Sequence, residues 1–257
     1  MISRTQNLLP RVCFLLIRAS IVVIALTGVV WAAWAFPIFS RQSSIDGVAT
    51  KIIAGARYDA EALSRLDPIL EDIENAGYCQ AIATRDAAVI RLHKAELTIS
   101  SGDQDNLDSS LEALLTSLLR SLACSPADSF SWLALFWLKN VQAGYVPANQ
   151  RFLRMSYQLG PNEGWIALKR SHIAFSIFEG LDPDLKERAK AELVGLLQTG
   201  LVEAAADIFV GPAWSKRDEI TPLLVKVPQR TRELFSEYLH YRGYDIVVPG
   251  VHQPSSP

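Results

Sequence analysis

The sequence predicts an all-α protein in which an N-terminal transmembrane helix precedes a domain of α-helical hairpins. An uncharged apolar run of 22 residues lies between Arg18 and Arg41. After it, helix-capping residues and the helix breakers glycine and proline recur at helix-length intervals, with almost no alternating strand pattern. Proline and tryptophan also recur at spacings of 35 and 33 residues between positions 126 and 165, about the length of one helical hairpin.

The apolar run has the length of one membrane crossing. A hydrocarbon core of about 30 Å needs about 20 apolar residues at a rise of about 1.5 Å each. A buried helix of six turns would normally show a polar face, and this one shows none. Pro37 suits the end of such a helix. We therefore predict a transmembrane anchor over residues 18–40 and a membrane interface marked by Arg18, Trp31, Trp34 and Arg41.

The arginines predict the orientation of this anchor. Three of them precede the run, together with the free amine, whereas Arg41 is followed by no basic residue until Lys51. Because positive flanks stay in the cytoplasm, residues 1–17 should be cytoplasmic and the rest of the chain exported. In a bacterial inner membrane this places the exported part in the periplasm.

A cleaved signal peptide is the alternative interpretation. Ala33-Trp34-Ala35 offers small residues at the positions that a signal peptidase reads, so the chain could be secreted after cleavage near Ala35. Apolar residues continue through positions 37–39, however, and the run exceeds the usual apolar region of about 7–15 residues. The uncleaved anchor is the favoured interpretation.

The exported part is large enough for one domain with its own core, at about 215 residues. It carries 22 basic and 27 acidic residues, a net charge of −5. Nucleic-acid binding, which requires basic patches, is therefore not expected.

Two of the three cysteines, Cys79 and Cys124, lie in the exported part, and Cys13 lies at the cytoplasmic edge of the anchor. An even pair in an oxidising compartment predicts a disulfide. Two separately buried thiols are the alternative.

The exported chain divides into helices at its caps and breakers. Residues 41–57 form a stalk or first helix, and residues 58–244 form the repeat-like domain. Asp59 and Asp67, the latter with Pro68, are expected to cap two short helices. Longer helices are expected over residues 80–100, from Asn106 or Asp108 to about 124, and from Asp128 or Ser129 to about 144.

The remaining helices follow the same punctuation. One is expected from about residue 163 to Gly180, and another from Asp182-Pro183 to Gly211, with Gly195 and Gly200 as kinks or close-packing points. Two more are expected around 216–225 and 229–243. The tail, residues 245–257, is rich in proline and polar residues and should be loose at its end.

The stretch around Trp132 resembles a tetratricopeptide repeat. Aligning Trp132 with the tryptophan of the repeat's first helix places Leu135 on its leucine, Ala148 on its second-helix alanine and Phe152 on its aromatic residue. Pro161 falls one residue late for the closing proline. The resemblance implies that Trp132 and Phe152 meet between two helices of one hairpin, while Ala148 lets those helices approach.

This resemblance covers about 35 residues. Phe136 and Lys139 stand where the repeat has glycine and tyrosine, and Met155 replaces a small residue. A second copy that begins at Trp165 loses the pattern after Leu168.

Strong catalytic motifs are absent from the sequence, including phosphate-binding glycine loops, nucleophile elbows and zinc motifs. Three groups of residues have a chemical interpretation beside a structural one. An aspartate cluster could bind calcium or cap a helix, an acidic cluster could cleave glycans or form a solvated face, and an aromatic group could stack on sugars or pack in the core. In that order, these are Asp103, Asp105 and Asp108; Glu71, Asp72 and Glu74; and Phe130, Trp132, Phe136 and Trp137.

The structural interpretation is favoured for all three groups, so no catalytic residue, metal or cofactor is expected. The four histidines, which share no ligand spacing, are His93, His172, His240 and His252.

Two functions remain. The first is a non-catalytic membrane-anchored scaffold whose repeat surface binds a protein partner in the cell envelope. Its architecture and the segment CSPADSFSWLALFWL are similar to alphaproteobacterial inner-membrane proteins associated with exopolysaccharide production, which implies a role in polysaccharide synthesis or export. The second is a periplasmic protein that binds or processes glycans.

Overall fold

The computed structural model describes the backbone of residues 8–251 and the side chains of residues 14–34, 36 and 45–251. Within this part the fold is all-α and contains no strand. Four short 3-10 turns, at Pro147–Asn149, Phe178–Gly180, Trp214–Lys216 and Thr221–Lys226, join the α-helices. These helices are α1 (Leu8–Ile53), α2 (Ala60–Ser64), α3 (Asp67–Glu74), α4 (Ala81–Ser101), α5 (Gln104–Cys124), α6 (Ser129–Ala143), α7 (Gln150–Leu159), α8 (Gly164–Ser176), α9 (Pro183–Gln198), α10 (Val202–Val210), α11 (Arg217–Ile220) and α12 (Gln229–Tyr241).

Helix α1 is one continuous helix of 46 residues. Its segment Phe14–Trp34 is long and apolar enough to cross a membrane, and none of it is buried against the rest of the chain. The expectation that the helix finishes at Pro37 is wrong, because α1 continues to Ile53. Ile45 and Ala49, in its last two turns, are fully buried in the domain. Residues 41–57, predicted to be a stalk or a first helix, are therefore mostly the end of α1.

Helices α4 and α5 form an antiparallel hairpin. Asp103 caps the start of α5 by accepting a hydrogen bond from the Asn106 amide. At the other end of the hairpin, Cys79 and Cys124 form the predicted disulfide, with their Cα atoms 5.3 Å apart. The short helices α2 and α3 pack across α4. Asp59 caps α2 as predicted, whereas Asp67 lies inside α3 and pairs with Arg91 and Lys94 instead of capping.

The following helices pack mainly against helices close to them in the chain. The contacting pairs are α5 and α6, α6 and α7, α8 and α9, α9 and α10, and α10 and α12. Asp128 caps α6 through the Ser131 amide. Gly200, with φ of +85°, separates α9 from α10, so this glycine ends a helix where the sequence indicated a kink or a close-packing point.

A buried ion pair and its hydrogen bonds connect three successive helices, α7, α8 and α9. Arg170 of α8 is fully buried, and its guanidinium donates to Glu192 of α9, to Ser156 of α7 and to the carbonyl of Gly160. Its plane lies over the Tyr157 ring, 4.4 Å from the ring centroid. Burial raises the pKa of Glu192, although its hydrogen bonds with Arg170 act in the opposite direction. These partners satisfy the buried guanidinium and fix the relative positions of α7, α8 and α9.

The C-terminal segment packs back on the domain as far as Val251. Val248 is buried, and Arg232 of α12 donates to the Pro249 carbonyl. The predicted loose end, residues 252–257, lies outside the described residues, as do residues 1–7 of the predicted cytoplasmic segment.

Candidate functional site: an apolar groove between α1, α4, α6 and α8

An apolar groove lies where the end of α1 meets α4, α6 and α8. Each of the four helices contributes large aliphatic or aromatic side chains, and three polar side chains lie among them. The groove is lined by Ile52, Ile53, Val89, Leu92, His93, Glu96, Phe130, Leu133, Ala134, Trp137, Trp165, Lys169 and Ile173.

Helices α6 and α8 occupy equivalent places along the groove because they begin alike. Asp128 and Glu163 are their N-caps, and Phe130 and Trp165 are the second residues of the two helices. The two rings contact each other with centroids 5.3 Å apart. The starts of α6 and α8 are therefore 35 residues apart, the spacing of Pro126 and Pro161, and not the 33-residue spacing of the tryptophans.

The groove holds a cavity of about 70 Å³ that is partly open to solvent. A single water needs roughly 10–15 Å³ on this measure, so the cavity has room for an apolar side chain. The aromatic and aliphatic lining favours an apolar occupant, because polar groups that enter it without hydrogen bonds are penalised.

One polar atom in the groove lacks a partner. Nε2 of His93 is buried and has no hydrogen-bond partner among the described residues, while Nδ1 lies 3.5 Å from the Glu96 carboxylate. Buried polar atoms are normally hydrogen-bonded. Glu96 and Lys169 add one charge of each sign to the lining.

The residues predicted from the repeat pattern lie behind the groove. Trp132 stacks on Phe152 between α6 and α7, with ring centroids 6.0 Å apart, and its Nε1 donates to the Pro126 carbonyl. Leu135 is buried. Ala148 does not lie between the helices: it is exposed in the 3-10 turn before α7. Pro161 is exposed after the end of α7.

The predicted membrane-interface residues lie on α1, away from the groove. Trp31 and Trp34 are exposed near the C-terminal end of the apolar segment, and the Arg18 guanidinium lies over the Phe14 ring. The side chain of Arg41 lies outside the described residues.

Members of the acidic, aspartate and aromatic clusters make structural contacts in the described part of the chain. Glu74 binds the buried Arg91 through both carboxylate oxygens, and Asp103 caps α5. The four aromatic residues point to different places: Phe136 is in the core, Trp132 meets α7, and Phe130 and Trp137 line the groove. No group of His, Cys, Asp and Glu side chains with metal-binding geometry occurs among the described residues.

Comparison with protein-family models found no match, and comparisons with curated proteins and with solved structures found none. The groove therefore supplies the argument for function.

Proposed function

We propose that the protein is a non-catalytic, membrane-anchored scaffold of the bacterial cell envelope, and that the groove binds one large apolar side chain of a partner polypeptide. Residues 18–40 anchor it in the inner membrane with its N-terminus in the cytoplasm. The observation that carries the proposal is the apolar cavity at the junction of four helices, lined by aliphatic or aromatic side chains from each of them. Deep pockets that take one anchor side chain are typical of protein interfaces.

The exposed apolar segment Phe14–Trp34 and the Cys79–Cys124 disulfide support the location. The first has the length of a bilayer, and the second favours an oxidising compartment such as the periplasm. The succession of packed helical hairpins supports a tetratricopeptide-like array, whose grooves bind peptides. The architectural resemblance noted above points to polysaccharide synthesis or export as the setting of the partner.

Photo-crosslinking tests this proposal. Ile173 lines the groove at its edge, whereas Leu119 of α5 is 53% exposed and lies outside it. A photoreactive amino acid placed at Ile173 in the full chain, in the native host, should give a protease-sensitive adduct of one discrete mass, and the same amino acid at Leu119 should not. Ala134→Leu, which fills the cavity, should remove the adduct.

Two results would contradict the proposal. One is equal crosslinking from Ile173 and Leu119, which would mean that the groove selects nothing. The other is a protease-resistant adduct that glycosidases remove, which would support the glycan-handling alternative instead.

A further inference from the structure

The direction of α4 relative to α1 determines which end of the domain lies nearest the membrane. Asp46 of α1 lies close enough to Asp86 of α4 to raise the pKa of its carboxyl group. Further along, Ile53 of α1 and His93 of α4 line the same groove. Both helices advance by seven residues between these two points. They therefore run parallel, and residues of α4 lie level with residues about forty positions earlier in α1.

This register places the start of α4 at the headgroup layer. Ile82, at the first turn of α4, lies level with about residue 42 of α1, two residues beyond the end of the proposed anchor at residue 40. At about 1.5 Å per residue this is about 3 Å along α1. The headgroup layer is roughly 5–8 Å thick, so the start of α4 lies within its depth.

Two exposed apolar side chains lie at this end. Tyr78 is 44% exposed and Ile82 is 51% exposed. The disulfide joins Cys79, just before α4, to Cys124, the last residue of α5. It therefore holds the start of α4 and the end of α5 together. Arg120 donates to the carbonyls of Ala76 and Tyr78, which fixes the loop. Tyrosine is a side chain that favours the headgroup layer, because its ring is apolar and its hydroxyl is polar.

We infer that the disulfide-closed end of the domain, the surface formed by Tyr78, Cys79, Ile82 and Cys124, rests on the headgroup layer of the leaflet from which α1 emerges. This inference rests on the proposed membrane anchor. It adds a second contact between protein and lipid, which limits rotation of the domain about α1. The groove residues Val89–Glu96 then lie roughly 10–20 Å above this surface, at 1.5 Å per residue along α4. The partner side chain is therefore presented close to the membrane.

Depth measurements on the full chain in phosphatidylethanolamine–phosphatidylglycerol vesicles test the inference. A ketone-bearing amino acid carries a nitroxide at Tyr78 or Ile82, so that all three cysteines remain native. Ile99, 40% exposed at the opposite end of α4, is the matched control, and Val30 reports on the anchor. Power saturation with oxygen and with a water-soluble nickel chelate gives the depth of each label.

The labels at Tyr78 and Ile82 should be severalfold less accessible to the nickel chelate than the label at Ile99, while the label at Val30 lies at hydrocarbon depth. The membrane contact would be overturned if the nickel chelate reached the labels at Tyr78 and Ile82 as readily as the label at Ile99. If the label at Val30 were still at hydrocarbon depth, the anchor would remain supported. A water-accessible label at Val30 would overturn the anchor and the contact together.

Discussion

At the scale of single residues, Asp86 is a buried carboxyl group near the junction of α1, α4 and α6. It is 3% exposed, and its Oδ2 has no hydrogen-bond partner among the described residues. Burial raises the pKa of Asp86 to about 6; Arg85 lowers that pKa, and Asp46 and Asp128 raise it further. The folded protein therefore binds this proton more tightly than the unfolded chain does, and ionisation of Asp86 destabilises the fold.

Replacing Asp86 by asparagine should stabilise the protein at neutral pH. The folded pKa of about 6 exceeds the ordinary value of 3.8, so wild-type stability falls as the pH rises from about 4 to above 6. Asp86→Asn removes this loss, by roughly 2–3 kcal/mol at pH 7.5, with no difference near pH 4. Urea unfolding of the full chain in detergent at several pH values measures both. Glu112→Gln, at an exposed site on α5, is the control and should change neither; a pH-independent gain in Asp86→Asn would contradict the ionisation argument.

The Arg170–Glu192 pair should behave as a coupled unit. Arg170→Met leaves the Glu192 carboxylate buried without its cation, so we expect a loss of about 3–5 kcal/mol in the free energy of unfolding. Arg170→Met combined with Glu192→Leu removes both charges and should cost clearly less than the sum of the two single changes. Arg154→Met breaks a partly exposed pair with Asp182 and Asp184 and should cost about 1 kcal/mol or less. Additive losses in the first pair, measured by urea unfolding, would contradict the coupling.

Single-residue predictions from the sequence were correct where the signal is local. Asp59 and Asp128 cap helices because a cap requires only the next few residues of the chain. The aspartate cluster also caps a helix, through Asp103, but α5 begins at Gln104 and not at Asn106 or Asp108 as predicted. Asp67 reads as a cap in the sequence, yet its carboxylate binds Arg91 and Lys94, more than twenty positions away. Distant partners of this kind leave no mark in the local pattern, and the Arg170–Glu192 pair escaped prediction for the same reason.

At the scale of elements, the sequence did not show which proline or glycine ends a helix. Pro37 lies inside α1, although an interior proline removes one backbone hydrogen bond. Gly200 ends α9, since its positive φ turns the chain into α10. The local sequence does not distinguish these outcomes. Packing does, because Ile45 and Ala49 bury the end of α1 against α4.

The disulfide is the element-scale feature that sequence predicted correctly. It closes a loop of 45 residues around the α4–α5 hairpin. In the chain-entropy model such a loop is worth about 4 kcal/mol. We expect Cys79→Ser with Cys124→Ser to lower the free energy of unfolding of the full chain by up to that amount, whereas Cys13→Ser should leave it unchanged. An equal effect of dithiothreitol on wild type and on the double variant would show that the bridge is not formed in the native protein.

At the scale of the whole molecule, the groove could not be predicted because four helices contribute to it. Its parts were visible: the sequence showed an apolar α6 and the aromatic residues Phe130 and Trp165. The two rings contact each other because they occupy the same position in helices that start 35 residues apart. The tryptophan spacing of 33 residues pairs different positions of these helices. The end of α1, expected to be a stalk, supplies Ile52 and Ile53 to the lining.

The fold is compatible with both the anchor and the cleaved signal, although the domain contains part of α1. Ile45 and Ala49 are fully buried, so these turns are needed for folding. A cut near Ala35 falls before them. The cleaved product would thus retain its core and fold as a released periplasmic protein, and folding alone does not separate the two interpretations. Only the membrane association and the N-terminus of the mature chain do.

We predict that the mature protein keeps residues 18–40 and remains in the membrane with its domain exported. Three arginines precede the uncharged run between Arg18 and Arg41, counting Arg18, and one directly follows it. A phosphatase reporter, which is active only outside the cytoplasm, should therefore be active when fused after Pro257. The protein should stay in the pellet after a carbonate wash. Substituting Arg4, Arg11 and Arg18 by glutamine should lower the reporter activity, since the charge asymmetry then reverses, while the same change at Arg57, beyond α1, should not. An active reporter on a carbonate-soluble chain that begins near Phe36 would establish the cleaved signal. A reporter that is inactive in every variant would indicate the opposite orientation, with the domain in the cytoplasm.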